Sequence, residues 1–227
     1  MPYAEVQFIG FLANTDSTIL KVQLDHGFEI RDTGASEGGR LYGELANLPF
    51  SHAYSQLAGQ CSCVNIHEEK VYYVTRSRQV QEEDGRLHLR SESEDVYNYL
   101  EPAIHKMRLF KEGNICMPLR FYRGRRENET DYFRFGTMPD ALVLSGPTYT
   151  LEDSEIPELQ EFVQNVKLPF SDSSLRLAFE SFEESFEIPY IPLSFLSLMV
   201  SLEALFSPTD GGELKYRISR NLAVFLG

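Results

Sequence analysis

Glu203, Glu213, Lys215, Arg217 and Arg220 form the set of residues whose types and spacing could serve phosphate chemistry. Glu203 stands in an otherwise apolar stretch, SLEALF, where a buried carboxylate needs a partner because an unpaired buried charge is too costly. Glu213 and Arg217 are four residues apart, so they can pair along one helix face. Arg220 lies three further on and can reach across to Glu203. Two arrangements satisfy this spacing. The plainer is an ion pair that locks two helices of a bundle. The other is a polar cluster beside a nuclease or nucleotide site, with Glu203, Arg217 and Arg220 as candidate catalytic residues.

A second set lies in LRFYRGRRENE, where Arg120, Arg123, Arg125 and Arg126 make a basic island in an acidic chain. Phe121 and Tyr122 interleave with it, as stacking on nucleic-acid bases would require. These four arginines are the candidate nucleic-acid contacts. The competing expectation, which the local charge favours, is a solvated hairpin turn around Gly124, offset by Glu127, Glu129 and Asp131. Cys61, Cys63 and His67 are close enough in sequence to suggest zinc, but a second strong ligand pair is missing, so no metal site is expected. The stretch GASEGGR lacks the spacing and lysine of a phosphate-binding loop. Glu180, Glu183, Glu184 and Glu187 fall at helical spacing and read as a solvated acidic face.

Composition narrows the classes. The chain has 227 residues, 42% apolar and 24% charged, which suits a globular protein with a substantial core. Its net charge of −13 argues against non-specific nucleic-acid binding while leaving room for a local basic pocket. No apolar run approaches the roughly 18 residues of a membrane span, and the richest, Ile188 to Phe206, is broken by Pro189, Pro192 and serines. The N-terminus MPYAEVQFIG has no basic region ahead of its apolar residues. A cytoplasmic location, reduced cysteines, no membrane partner and no cofactor are the resulting expectations.

These residues must be positioned by elements that the apolar pattern predicts. Strands are expected over residues 5–12, 18–24, 28–30, 71–74, 117–122, 132–135 and 141–144. A helix interrupted near Pro49 is expected within residues 41–57, and an exposed hairpin or loop over the charged stretch 79–93. A helix over 95–110 should be kinked, or begun, by Pro102. Four helices follow, over 154–166, 173–186 and 193–206, and from about Glu213, where Leu214, Ile218, Leu222 and Phe225 recur at helical spacing. The helix over 193–206 is apolar nearly all round and should be the buried centre of a bundle. The fold class is α+β: a β-rich, sensor-like domain over residues 1–150 and a helical domain over 151–227. Phe225 and Leu226 stand beside the terminal Gly227 without a polar cap, so a partner or further sequence is expected to cover them.

The run LSLMVSLEALFSPTDGGELKYRISRNLAVFLG resembles the ApeA-like branch of the HEPN families, helical domains often associated with RNA cleavage. SLRLAFESFEESFE resembles the preceding helix of that branch, HKMRLFKEGNI a segment before it, and YTLEDSEIPELQEF its opening helix, so the resemblance covers about residues 95–227. It implies a HEPN-like bundle, RNase ancestry, RNA as a partner, and homodimerisation through the C-terminal helices. Active members carry Arg, four to six residues, then His in a later helix. No such motif follows Glu203 here, and of the histidines at 26, 52, 67, 88 and 105 only His105 lies in the matching region. The expected function is therefore the sensor or regulatory portion of a bacterial HEPN-type defence or toxin RNase, with an incomplete helical domain and no catalytic motif in this chain. The alternative is a non-enzymatic module that binds a ligand or protein and dimerises through its helices. An enzyme should set Glu203, Arg217 and Arg220 around an accessible cleft, and a module should bury them as pairs.

Overall fold

A computed structural model describes residues 3–34, 64–65, 68–83, 86–87, 89–126, 133–136, 147–188 and 190–206. The chain divides into two compact units, Met1–Val166 and Lys167–Gly227.

The first unit is built on an antiparallel sheet. Its strands are β1 (Tyr3–Ala13), β2 (Glu29–Gly34), β3 (Val64–Asn65), β4 (Lys70–Glu83), β5 (Arg86–Leu87), β6 (Cys116–Arg126) and β7 (Phe133–Gly136). They lie in the order β2-β4-β1-β6-β7, with the two-residue β3 and β5 each paired to β4. The central β1 shows why its apolar residues alternate imperfectly. Ala4, Val6 and Phe8 are buried while Glu5 is exposed, but from Phe8 to Ala13 every position is buried, so the strand becomes apolar on both faces. Gly10 marks a close approach: a Cβ there would stand 2.2 Å from Met117 Sδ.

One face of this sheet carries the main core. Ala4, Val6, Phe8, Tyr72, Val74 and Tyr122 meet Val96, Leu100, Ile104 and Met107 from the helical segment that follows β5. That segment consists of α1 (Arg90–Asp95), a π-helical turn (Val96–Leu100) and α2 (Glu101–Phe110). It starts earlier than the expected residue 95 and runs on through Pro102, which sits in the first turn of α2. Proline lacks the N–H that an α-helix would use there, and the wider turn just before it accommodates the loss.

Two stretches depart from the pattern-based expectation. Residues 18–24 do not form a strand: Ser17–Lys21 is a 3₁₀ turn, because Asp16 caps it by accepting from the Thr18 N–H at 3.0 Å, and Ile19 plugs into the core. Residues 79–83 are the end of the long β4, held by β1 through Tyr3 opposite Gln81; the expected hairpin is the short β4–β5 pair, Glu83 opposite Arg86. Farther along, α3 (Glu155–Asn165) belongs to this unit. Leu159 is fully buried in its core, Lys106 donates to the Val163 carbonyl at 2.7 Å, and Lys111 pairs with Glu155 at 2.6 Å. The division thus falls after α3 and not near residue 150, because α3 buries its apolar face against α2 and the sheet core.

The second unit contains α4 (Ser173–Glu187) and α5 (Ile191–Phe206). Asp172 caps α4 by accepting from the N–H groups of Ser174 and Leu175, each at 2.9 Å. The two helices meet along small residues: Ala178, Ser181 and Ser185 on α4, and Ser197, Ser201 and Ala204 on α5 are buried. Ser197 Oγ donates to the Ser181 carbonyl at 2.9 Å, and Ser194 Oγ to the Ser185 carbonyl at 2.6 Å. This corrects the expectation that α5 is buried all round: its serine and alanine stripe is covered while Ile191, Phe195 and Leu196 are each more than half exposed. The fold class is α+β, as the sequence implies. Among the described residues no helix is long and apolar enough to cross a membrane. The expected helix within 41–57, strand at 141–144 and helix from Glu213 lie outside the described residues.

Candidate functional site

The pleat of β6 sorts the basic island. Arg120 and Tyr122 point to the helix-covered face, and Phe121, Arg123 and Arg125 to the other. Gly124 stands mid-strand opposite Val6, so the expected hairpin turn around it does not form. Arg120 pairs with Glu101 of α2. Arg123 donates through Nε to Gln7 Oε1 at 2.7 Å; Gln7 Nε2 donates to Thr75 Oγ1 at 2.9 Å, and Thr75 Oγ1 to the Phe8 carbonyl at 2.9 Å. This chain of donors crosses β6, β1 and β4. Arg125 is exposed and stands opposite Glu5, and Arg126 ends β6 opposite Ala4. Phe121 and Tyr122 are buried at 0% and 2% exposure, which removes the base-stacking role that their spacing suggested. Arg123 is half-buried and engaged by Gln7, on a face that also buries Ile9, Phe11 and Phe121.

The opposite face holds an ionic cluster that sequence reasoning missed. Arg76 and Arg78 of β4 stand opposite Phe8 and Val6, on the side that α1 covers. Arg76 is 4% exposed and reaches Glu92 at 2.6 Å and Asp95 at 3.0 Å. Its guanidinium carbon lies 4.0 Å from the centroid of the Phe28 ring, and it donates to the His26 carbonyl at 3.3 Å. Arg78 adds contacts to Asp95 at 2.8 Å and Glu92 at 3.5 Å. Two cations thus meet two anions, and with Arg120–Glu101 the helix is tied to the sheet by charge as well as by apolar packing. The signal was present in sequence as Arg76-x-Arg78 at strand spacing and Glu92-x-x-Asp95 at helix spacing, but it requires knowing that the charged stretch changes from strand to helix near residue 90.

Other titratable groups in the first unit serve local structure. Glu68 accepts from the Tyr72 hydroxyl, from Ser17 Oγ at 2.8 Å and from the Ser17 N–H at 3.1 Å. The Tyr72 bond foremost holds its carboxyl below the ordinary glutamate value, against the effect of burial. His105 on α2 is pushed down to about 4 by burial and then by the nearby Arg108 charge, so its imidazole is neutral at physiological pH.

Of the C-terminal candidates, Glu203 alone lies among the described residues. Glu203 is exposed on α5, contrary to the buried carboxylate expected from its apolar neighbours. The reason is the orientation of α5, which turns its small residues, and not its charged one, toward α4. Glu213, Lys215, Arg217 and Arg220 lie outside the described residues, as do Cys61, Cys63 and His67. Among the described residues no group of three or more His, Cys, Asp or Glu side chains could hold a metal ion.

No protein-family model matches this chain, and no curated protein or solved structure matches it either. Among the described elements, Arg123 and Arg125 share one face of the sheet, and α4–α5 form a helical hairpin.

Proposed function

We propose that this chain is the sensor or regulatory portion of a HEPN-type ribonuclease of a bacterial defence or toxin system. In this reading the β-rich unit recognises a signal and the helical unit contributes to a HEPN-like RNase bundle. The observation that carries it is the α4–α5 hairpin: the stretch whose sequence resembles the ApeA-like branch forms two antiparallel helices, and α5 still presents apolar side chains that further helices would cover. The test is the reading frame downstream of Gly227 in the source gene, followed by RNA cleavage by the full product. An Arg-x4–6-His motif within roughly one domain length, about 100 residues, and cleavage lost on its His→Ala substitution support the reading. A stop codon at that point, or a full product that leaves RNA intact, overturns it.

The second reading is a non-enzymatic module that binds a protein or polar ligand and associates through its helices. It is favoured by the engagement of Arg120 with Glu101 and of Arg123 with Gln7, which ties these arginines to the sheet unit itself. The two readings separate on RNA turnover by the full product.

A further inference from the structure

We infer that His26 and Tyr99 form a stacking platform for the guanidinium group of an arginine on a protein partner, with Asp25 as the carboxylate that receives it. The inference rests on the reading of the β-rich unit as the recognising part of the chain, and it requires no RNA cleavage.

Three observations carry it. The first is the stack itself. The His26 and Tyr99 rings lie 3.4 Å apart between centroids and 16° from parallel. Both residues are exposed, Tyr99 at 43%. Tyr99 stands on the π-helical turn between α1 and α2, whose Val96 and Leu100 are held in the core. A preformed aromatic surface on a packed element thus meets solvent. Guanidinium is the side-chain cation that suits it, being planar, weakly hydrated and able to lie flat on aromatic rings.

The second is the backbone that presents His26. Asp25 to Phe28 is a tight turn closed by the Phe28 N–H donating to the Asp25 carbonyl at 3.3 Å. Both central residues have positive φ, +59° at His26 and +76° at Gly27. A turn of this kind favours Asn or Gly at its first central position. Histidine there gives up local preference, and the Arg76 guanidinium fixes the His26 carbonyl at 3.3 Å. Non-glycine residues held in this region gather at ligand contacts.

The third is charge. Gln160 of α3 donates through Nε2 to the Gln23 carbonyl at 3.1 Å, which brings α3 alongside the turn. Asp25, Glu158 and Glu161 are exposed and form no ion pair among the described residues. The neighbouring cations are engaged: Lys106 donates to the Val163 carbonyl at 2.7 Å, Lys21 pairs with Asp153, and Arg76 is buried against Glu92 and Asp95. The rim is therefore acidic, as is the chain at −13, which attracts a cationic partner and repels a phosphate backbone. An arginine satisfies charge and plane together, by charge-assisted hydrogen bonds to Asp25 and by stacking. A lysine satisfies only the charge.

The test is an NMR titration of the full chain at neutral pH with an acetylated, amidated Gly-Gly-Arg-Gly-Gly peptide, following the ring protons of His26 and Tyr99. Both should move saturably, with a Kd on the order of 1 mM, as one exposed anchor provides. The peptide with lysine in place of arginine should bind at least about threefold more weakly. Tyr99→Leu and Asp25→Asn should each weaken the arginine peptide at least about threefold, with the amide spectrum of the sheet unchanged. Asparagine is at home in a tight turn, so the second variant keeps the fold. Rings that do not move at about ten times the expected Kd overturn the inference. So does an equal response to the lysine peptide, or an affinity indifferent to both substitutions. Adenosine moving the same rings at lower concentration than the arginine peptide also overturns it and makes the platform a base-stacking site. The nuclease and module readings are decided on RNA turnover, so their failure and the failure of this site are read separately.

Discussion

The Arg76 guanidinium lies 2.6 Å from the Glu92 carboxylate, with the two side chains only 2% and 4% exposed, at the seam where β4 meets α1. A buried pair of this kind contributes little net stability when intact but is costly to break, because the surviving charge has no solvent. Arg76→Met should therefore lower unfolding stability by about 3–5 kcal/mol, read as a lower midpoint in urea. Arg76→Met combined with Glu92→Leu should be less destabilising than the sum of the single changes. Additive losses would show that the pair is not coupled.

The basic island separates into structural and surface arginines. Arg120→Ala removes the ion pair to Glu101 in a partly buried setting and should cost about 1–3 kcal/mol. Arg125→Ala, at an exposed position, should change stability by less than about 0.5 kcal/mol. Thermal unfolding of the two variants checks this ordering directly, and equal losses would contradict it.

The strands were legible where apolar residues are dense, as in β1 and at the start of β4, because burial on either face demands them. The charged half of β4 was not. Its polar residues are tolerated on a face that is partly solvated at Ser77 and Gln79, and its arginines find acids only after the chain has returned as α1. Hydrophobic periodicity cannot register a position whose burial is satisfied by charge. The same limit hid the 3₁₀ turn at Ser17–Lys21, where one capping carboxylate on Asp16 outweighs three apolar residues, Leu20, Val22 and Leu24, at strand spacing.

Gly113 adopts φ +141°, and a Cβ there would lie 2.8 Å from the Tyr149 Cα and 2.9 Å from its Cβ. Backbone cannot yield as a flexible side chain can. Gly113→Ala combines a disfavoured φ with this clash and should cost about 2–4 kcal/mol. Native-state hydrogen exchange should show the loss at Asn114 and Tyr149, whose N–H groups donate to the Pro147 and Asn14 carbonyls. A variant as stable as the parent would show that these segments can separate freely.

Two groups make stability fall with acid. His105 titrates in the folded chain at about 4, below its ordinary 6.5, so the unfolded chain binds the proton first. Stability is full above about 6.5 and declines as pH falls toward 4. Glu68 has a depressed folded value, so its contribution is present above the ordinary glutamate value and is lost as pH falls through the folded one. His105→Gln should flatten the decline between pH 6.5 and 4, while Glu68→Gln should act only at lower pH. Urea midpoints across pH 3–8 separate the two windows.

In α5 the serines read as interruptions of an apolar run, yet they form the contact. The sequence rule that puts apolar residues inside fails here because Ser197 and Ser201 are small enough to let α5 approach α4 closely, and the Ser197 hydroxyl is satisfied by the Ser181 carbonyl. A larger side chain must push the helices apart. Ser197→Ala keeps the size and gives up one hydrogen bond, so it should cost about 0.5–1.5 kcal/mol. Ser197→Leu adds volume to a closed seam and should cost about 1–3 kcal/mol, although leucine is the better helix former. The order Ser, Ala, Leu in decreasing stability of the second unit, read from hydrogen exchange at α4 and α5 amides, is the expected outcome. If leucine proved the most stable of the three, the seam would have to be open, and the apolar arc of α5, not its serines, would be the surface that α4 covers.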